Sequence, residues 1–267
     1  MNRERRFRIW KIIITIISFS GIIFFKFNID FSNLSNSYWD INLLKDVLYD
    51  LCIGIFSALV LVWIIDDINN NIQKEREKEK ELAEIKRIDR VLQLYIEHYE
   101  LLYYCVVTPI EKRDFSKVSM PADFKLSDMK DLYKISLLAN ESIIGSAIES
   151  FLDIELQLRN KVESILEKIN FEYYSEISDI LSEFLEASLK CNSRDNVLQA
   201  KNINVGDKPY INYIEELLKN SADQIYTNII NGAQYSGGAY HPYINIYEMM
   251  KAEREIILKY KNMIRNL

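Results

Sequence analysis

This chain of 267 residues is poor in helix breakers, with only 7 glycines and 4 prolines. So small a supply is hard to reconcile with a β-sandwich, a Rossmann fold or a glycine-rich phosphate-binding loop, all of which rely on such residues at fixed turns. Its three cysteines (Cys52, Cys105, Cys191) are too few and too scattered for a disulfide framework or a zinc cluster. The two histidines, His98 and His241, have no Cys or His at a ligand spacing, so no metal site is expected. No Walker loop, Gly-x-Ser-x-Gly elbow or Cys-x-x-Cys pair occurs either, and no cofactor is expected. A non-enzymatic protein is therefore the expectation. A site assembled in space from carboxylates, serines and tyrosines stays open beside it. Excess positive charge is also missing. A net charge of −6 argues against direct nucleic-acid binding over the whole chain.

What the chain has is apolar residues, 49% of the total, unevenly distributed. The mean hydropathy of −0.11 averages a very apolar N-terminal quarter with a polar remainder. Ile9 to Phe27 reads IWKIIITIISFSGIIFFKF, charged only at Lys11 and Lys26. At ~1.5 Å rise per residue this run just covers a hydrocarbon core of ~30 Å. Its lysines can snorkel to opposite interfaces, and Trp10, Phe25 and Phe27 suit the aromatic belts. A cleaved signal peptide is the rival reading, but no small-x-small site follows the apolar core. Val47 to Ile65 is a second run with one acid, Asp50, and is too apolar on every face for an ordinary soluble helix.

Orientation follows from the flanking basic residues. Residues 1–11 carry Arg3, Arg5, Arg6, Arg8 and Lys11, and residues 66–90 carry seven more, whereas the loop 28–45 has only Lys45. The positive-inside rule then puts both termini in the cytoplasm. Within the spans, Gly54 and Ala58 share a helical face with Ser57 adjacent, and Ser18 and Gly21 form a weaker face of the same kind. Small residues let membrane helices approach closely, either within the hairpin or between subunits.

Beyond Ile65 no breaker appears before Pro109, so the second span continues as a long juxtamembrane helix. Its segment Lys74–Glu81, KEREKEKE, reads as a solvated spacer. Ile85, Ile88, Leu92, Tyr95, Tyr99, Leu102 and Val106 then recur at 3-4 spacing. That seam fits either an intramolecular core or an oligomeric coiled-coil stalk. A loop over 108–127 precedes a helix capped by Ser127 or Asp128 and running through Leu138. An amphipathic run from Ile144 to Ile169 follows, in which Glu155 interrupts the seam and Ile154 takes its place. Further helices are expected over 175–190, 210–231 and 243–265, with a polar stretch at 191–209. The fold class is all-α: a transmembrane hairpin (1–66), a juxtamembrane helix or stalk (67–107) and a cytosolic helical bundle (108–267). The segment Asn231–Tyr243, NGAQYSGGAYHPY, is glycine- and tyrosine-rich. Tyr235, Gly237, Gly238, Tyr240, His241 and Tyr243 make it either a partner-recognition loop or a plain interhelical connection.

In layout, chiefly over residues 1–106, the chain resembles the small two-span membrane effectors of bacterial anti-phage defence, including those of retron systems and abortive-infection membrane proteins. Its Ile-, Lys- and Asn-rich composition is similar to theirs. The resemblance is one of layout, so no functional residues carry over. It implies a multi-pass inner-membrane toxin that forms a homo-oligomer in the lipid bilayer. Its helical domain would answer to a soluble protein or nucleoprotein regulator, and its spans would then permeabilise the membrane. The other expectation is a passive anchor or sensor whose helical domain docks a soluble partner.

Overall fold

The computed structural model describes residues 3–27, 41–136, 145–231 and 238–267. It divides into two compact units, Met1–Glu79 and Lys80–Leu267. Among the described residues there are only helices, short 3₁₀ turns, one two-residue β-hairpin and an isolated bridge, so the all-α expectation holds at that level.

The first unit contains α1 (Arg3–Phe27) and the opening part of α2 (Ile41–Val107). Helix α2 runs unbroken for 67 residues, as its lack of proline and its strong helix formers predict. Here α1 lies against α2 through small and aromatic side chains. Ser18 is buried, the Phe19 and Phe56 rings are 5.7 Å apart, and a Cβ placed on Gly21 would come 2.7 Å from Cys52 Sγ. An ion pair between Lys11 and Asp66 joins the same two helices.

In the second unit, the end of α2 supplies one wall of a core completed by α3 (Ala147–Lys168), α4 (Ser175–Lys190) and α8 (His241–Arg265). The 3-4 seam enters this core: Ile85, Leu92, Tyr99 and Val106 are buried, with Ile88, Tyr95 and Leu102 packed against them. Of the two readings of the seam, the intramolecular one describes this chain. Ser146 caps α3, accepting the Glu149 N–H while Glu149 Oε2 accepts the Ser146 N–H at 3.0 Å. The turn that leads into α4 is held from a distance. Glu81 is buried and its carboxylate accepts the N–H groups of Tyr173 and Tyr174 at 3.0–3.2 Å. The last residue of KEREKEKE is thus a structural anchor and not part of a solvated spacer.

Two other expectations are corrected. No α-helix starts at Ser127 or Asp128; a 3₁₀ turn spans Leu126–Asp131. The Ser127 N–H and hydroxyl are both taken by the Asp223 carboxylate, at 3.0 and 2.6 Å, which removes Ser127 as a local cap. The polar stretch 191–209 holds α5 (Arg194–Gln199) and a hairpin pairing β1 (Asn204–Val205) with β2 (Lys208–Pro209). Gly206 has φ +63 at the first turn position, the conformation such a two-residue turn demands of glycine. Finally, the helix expected over 210–231 breaks at Ser221 into α6 (Tyr210–Asn220) and α7 (Ala222–Ile230).

Candidate functional site

The second unit carries an ionic centre in its interior. Glu155 on α3 and Glu253 on α8 are both 0% exposed, on the seam faces of their helices. Arg194, at the start of α5, meets Glu155 fork to fork along one guanidinium edge: Nη2 lies 2.7 Å from Oε1 and Nε 3.0 Å from Oε2. The remaining Arg194 hydrogens reach the Ser188 and Cys191 carbonyls at 3.0 Å and Ser188 Oγ at 3.0 Å. The Ser188 hydroxyl in turn donates to Glu155. Ile154 lies in the core as expected, but Glu155 does not interrupt the seam: it is buried too, as an ion-pair partner.

Among the described residues Glu253 has no ion-pair partner. Tyr99 on α2 donates its hydroxyl to Glu253 Oε2 at 2.7 Å, while Oε1 has no hydrogen-bond partner among the described residues. Burial, reinforced by the neighbouring Glu155 charge, pushes the Glu253 carboxyl well above the usual carboxylate range. Burial likewise raises the Tyr99 phenol, with the Glu253 charge adding to it. A carboxyl that keeps its proton turns the orphaned Oε1 into a donor, and leaves one carboxylate for one guanidinium. Each polar contact of this centre ties one helix or turn to another.

The same unit has an open cleft of 740 Å³, lined by Lys130, Asp131, Lys208, Tyr213, Glu216 and Lys219 among others. Lys130 is paired with Glu111 at 2.6 Å, and Asp131 accepts the Ile110 N–H at 3.0 Å. Lys208, Glu216 and Lys219 have no partner among the described residues. The sequence reading missed this cleft, because its walls come from a turn near 130, the 204–209 hairpin and α6. Only Gly206 signalled the hairpin.

Of the segment singled out for recognition, Tyr235 and Gly237 lie outside the described residues. Gly238 is exposed, and His241 is exposed at the first position of α8, with Pro242 next to it where a missing N–H costs nothing. Tyr240 is half-buried, its hydroxyl 3.2 Å from Ser221 Oγ. Tyr243 is buried, its hydroxyl 2.6 Å from that of Tyr133, which donates to the Val197 carbonyl at 2.9 Å. Burial pushes the Tyr243 phenol up to about 12. Tyr243 is thus a core residue and not part of a presented loop.

In the first unit the small residues separate. Ser18 and Gly21 face α2, as just described. Gly54, Ser57 and Ala58 are exposed, and a Cβ on Gly54 would meet nothing within 4 Å. Both helices are long and apolar enough to cross a membrane. Their most apolar windows have mean hydropathy 1.8 and 2.3, with 6% and 0% of each buried. Comparison with protein-family models, with curated proteins and with solved structures finds no match to this chain.

Proposed function

We propose that this chain is a membrane-anchored, non-enzymatic effector of bacterial anti-phage defence, whose two spans assemble and permeabilise the inner membrane when its helical domain is triggered. The carrying observation is the pair of apolar helices whose most apolar windows are almost wholly unburied by the chain itself. Apolar surface on that scale needs lipid or other spans to cover it. The basic residues on both sides of the hairpin and the near absence of them in the loop between support cytoplasmic termini. Helix α2 is continuous from the second span into the helical domain, so a partner bound to that domain has a covalent and helical route to the spans.

A second reading, in which the chain is a passive anchor that docks a soluble partner, draws on the open cleft and on its Lys208, Glu216 and Lys219, which have no partner among the described residues. Inducible expression in bacteria with a membrane-potential dye separates the two. Depolarisation that follows induction, before growth stops, supports the effector. An unchanged potential with the protein abundant in the membrane, with and without phage challenge, supports the anchor.

A further inference from the structure

The apolar window of α1 opens at Ile9, and the helical residues 3–8 before it hold four arginines and one acid, Glu4. How these positions are spread around the helix decides what they can meet. Counted from Arg3 at about 100° per residue, Arg8, Arg5 and Arg6 stand at about 140°, 200° and 300°. The side of α1 toward α2 is fixed independently, by contacts. Lys11, paired with Asp66, and the buried Ser18 stand at about 80° and 60°. Gly21 and Phe19, which approach Cys52 and Phe56, mark the edges of that side at about 0° and 160°. Within residues 3–8 it is Phe7 and Glu4 that fall on it, at about 40° and 100°. The arginines stand at its edges and around the rest of the helix, with no gap there wider than about 100°.

We propose that Arg3, Arg5, Arg6 and Arg8 form a collar that gathers anionic phospholipid headgroups around the cytoplasmic end of α1, an inference that rests on the membrane reading above. Depth fits this partner. Residues 3–8 rise ~9 Å beyond the apolar window, comparable with the ~5–7 Å of headgroup layer on each side of a bilayer. The distribution fits it too. A protein docked against α1 would touch one side of the helix, whereas headgroups border a span on every side that no other helix covers. The one acid falls on the side toward α2, where lipid is excluded. All four cations are arginines, whose planar fork takes two oxygens of one phosphate. Every phospholipid offers a phosphate, but a zwitterionic headgroup already carries a cation beside it, so the collar favours lipids of net negative charge.

Trp10 is a local reporter, 63% exposed and at about 340° on the same scale, between Arg6 and Arg3. The test uses the full chain with Trp39→Phe and Trp63→Phe, in vesicles of phosphatidylcholine and phosphatidylglycerol of which one or the other has brominated, quenching acyl chains. The relative binding constant at Trp10 should favour phosphatidylglycerol several-fold at low salt. It should fall toward one at ~1 M salt, where the Debye length is ~3 Å. Arg3→Gln, Arg5→Gln, Arg6→Gln and Arg8→Gln together should also bring it to about one; the salt series needs no variant and decides the matter where those four changes impair insertion. A parent without preference, or a preference that survives both salt and the four substitutions, would overturn the collar while leaving the membrane reading in place. So would a preference abolished by inorganic phosphate at constant ionic strength, the mark of a free-phosphate site. A Trp10 quenched by neither brominated lipid would refute the membrane reading, and the collar with it.

Discussion

Replacing Glu253 by glutamine should stabilise the protein increasingly as the pH rises. Glu253 and Glu155 are both fully buried with one guanidinium between them, so ionising both would leave an uncompensated charge in the core. The folded state avoids this by holding a proton on Glu253, whose carboxyl is raised by burial first and by Glu155 second. The sign follows from linkage. An unfolded glutamate releases its proton above a pKa of ~4.3, whereas the folded one keeps it, so the folded state binds more protons and stability falls as pH rises. While the folded carboxyl keeps its proton and the unfolded one does not, stability falls by about 1 kcal/mol per pH unit. Glutamine removes that dependence. Its amide also places a donor where Oε1 has no partner and keeps a carbonyl for the Tyr99 hydroxyl. Urea unfolding in mild detergent, followed by tyrosine near-UV circular dichroism, reports chiefly on the second unit, because only Tyr38 and Tyr49 of the 17 tyrosines lie in the first. The stability difference between Glu253→Gln and the parent should widen steadily as the pH is raised from 5 to 7. Glu155→Gln should cost about 3–5 kcal/mol at pH 7, since it strands Arg194. Parallel pH profiles for Glu253→Gln and the parent would refute the protonated carboxyl, as would equal losses in the two glutamine variants.

Arg113 donates to the carbonyls of Cys105, Thr108, Ile135 and Ser136 at 2.6–3.2 Å, holding the C-terminal end of α2 to the turn that follows. Arg113→Lys keeps the charge but not the fork, and should lower the urea midpoint by the equivalent of about 2–3 kcal/mol with m unchanged. Gly21→Leu, pressed against Cys52, should destabilise the first unit by about 1–3 kcal/mol in a protease-protection assay. Gly54→Leu should leave that hairpin intact and weaken self-association in detergent by about 1–2 kcal/mol. Two glycines inserted after Lys80 cost only ~1 kcal/mol each as helix residues and should leave both units folded while abolishing the triggered membrane response. A preserved response would replace transmission along α2 by simple local concentration of spans.

The elements legible in the sequence were those whose apolar period is set locally. Helix α4 has the expected bounds, Ser175–Lys190, because Ile177, Leu181 and Phe184 face the core in a clean amphipathic run. The long α2 was legible from the absence of breakers alone. What was illegible depends on residues far apart in the chain. Glu155 looked like an interruption because its partner Arg194 lies 39 residues away, at the head of a six-residue helix without a signal of its own. Ser127 has the form of a helix cap, yet its hydroxyl goes to Asp223, 96 residues on. The break at Ser221 has neither glycine nor proline to announce it, and the Ser221 hydroxyl bonds locally to the Leu217 carbonyl and to Tyr240. The small residues of the two apolar helices read alike in sequence; only their neighbours distinguish Gly21, which meets Cys52, from Gly54, which meets nothing among the described residues.

The central claim is that the two apolar helices form a hairpin across the inner membrane with both termini in the cytoplasm. It is tested most directly by a topology reporter fused after Leu267 and, separately, inserted near Asn36. The account predicts a cytoplasmic signal from the first and a periplasmic signal from the second. Two signals from the same side, or full-length protein recovered without membrane, would contradict it.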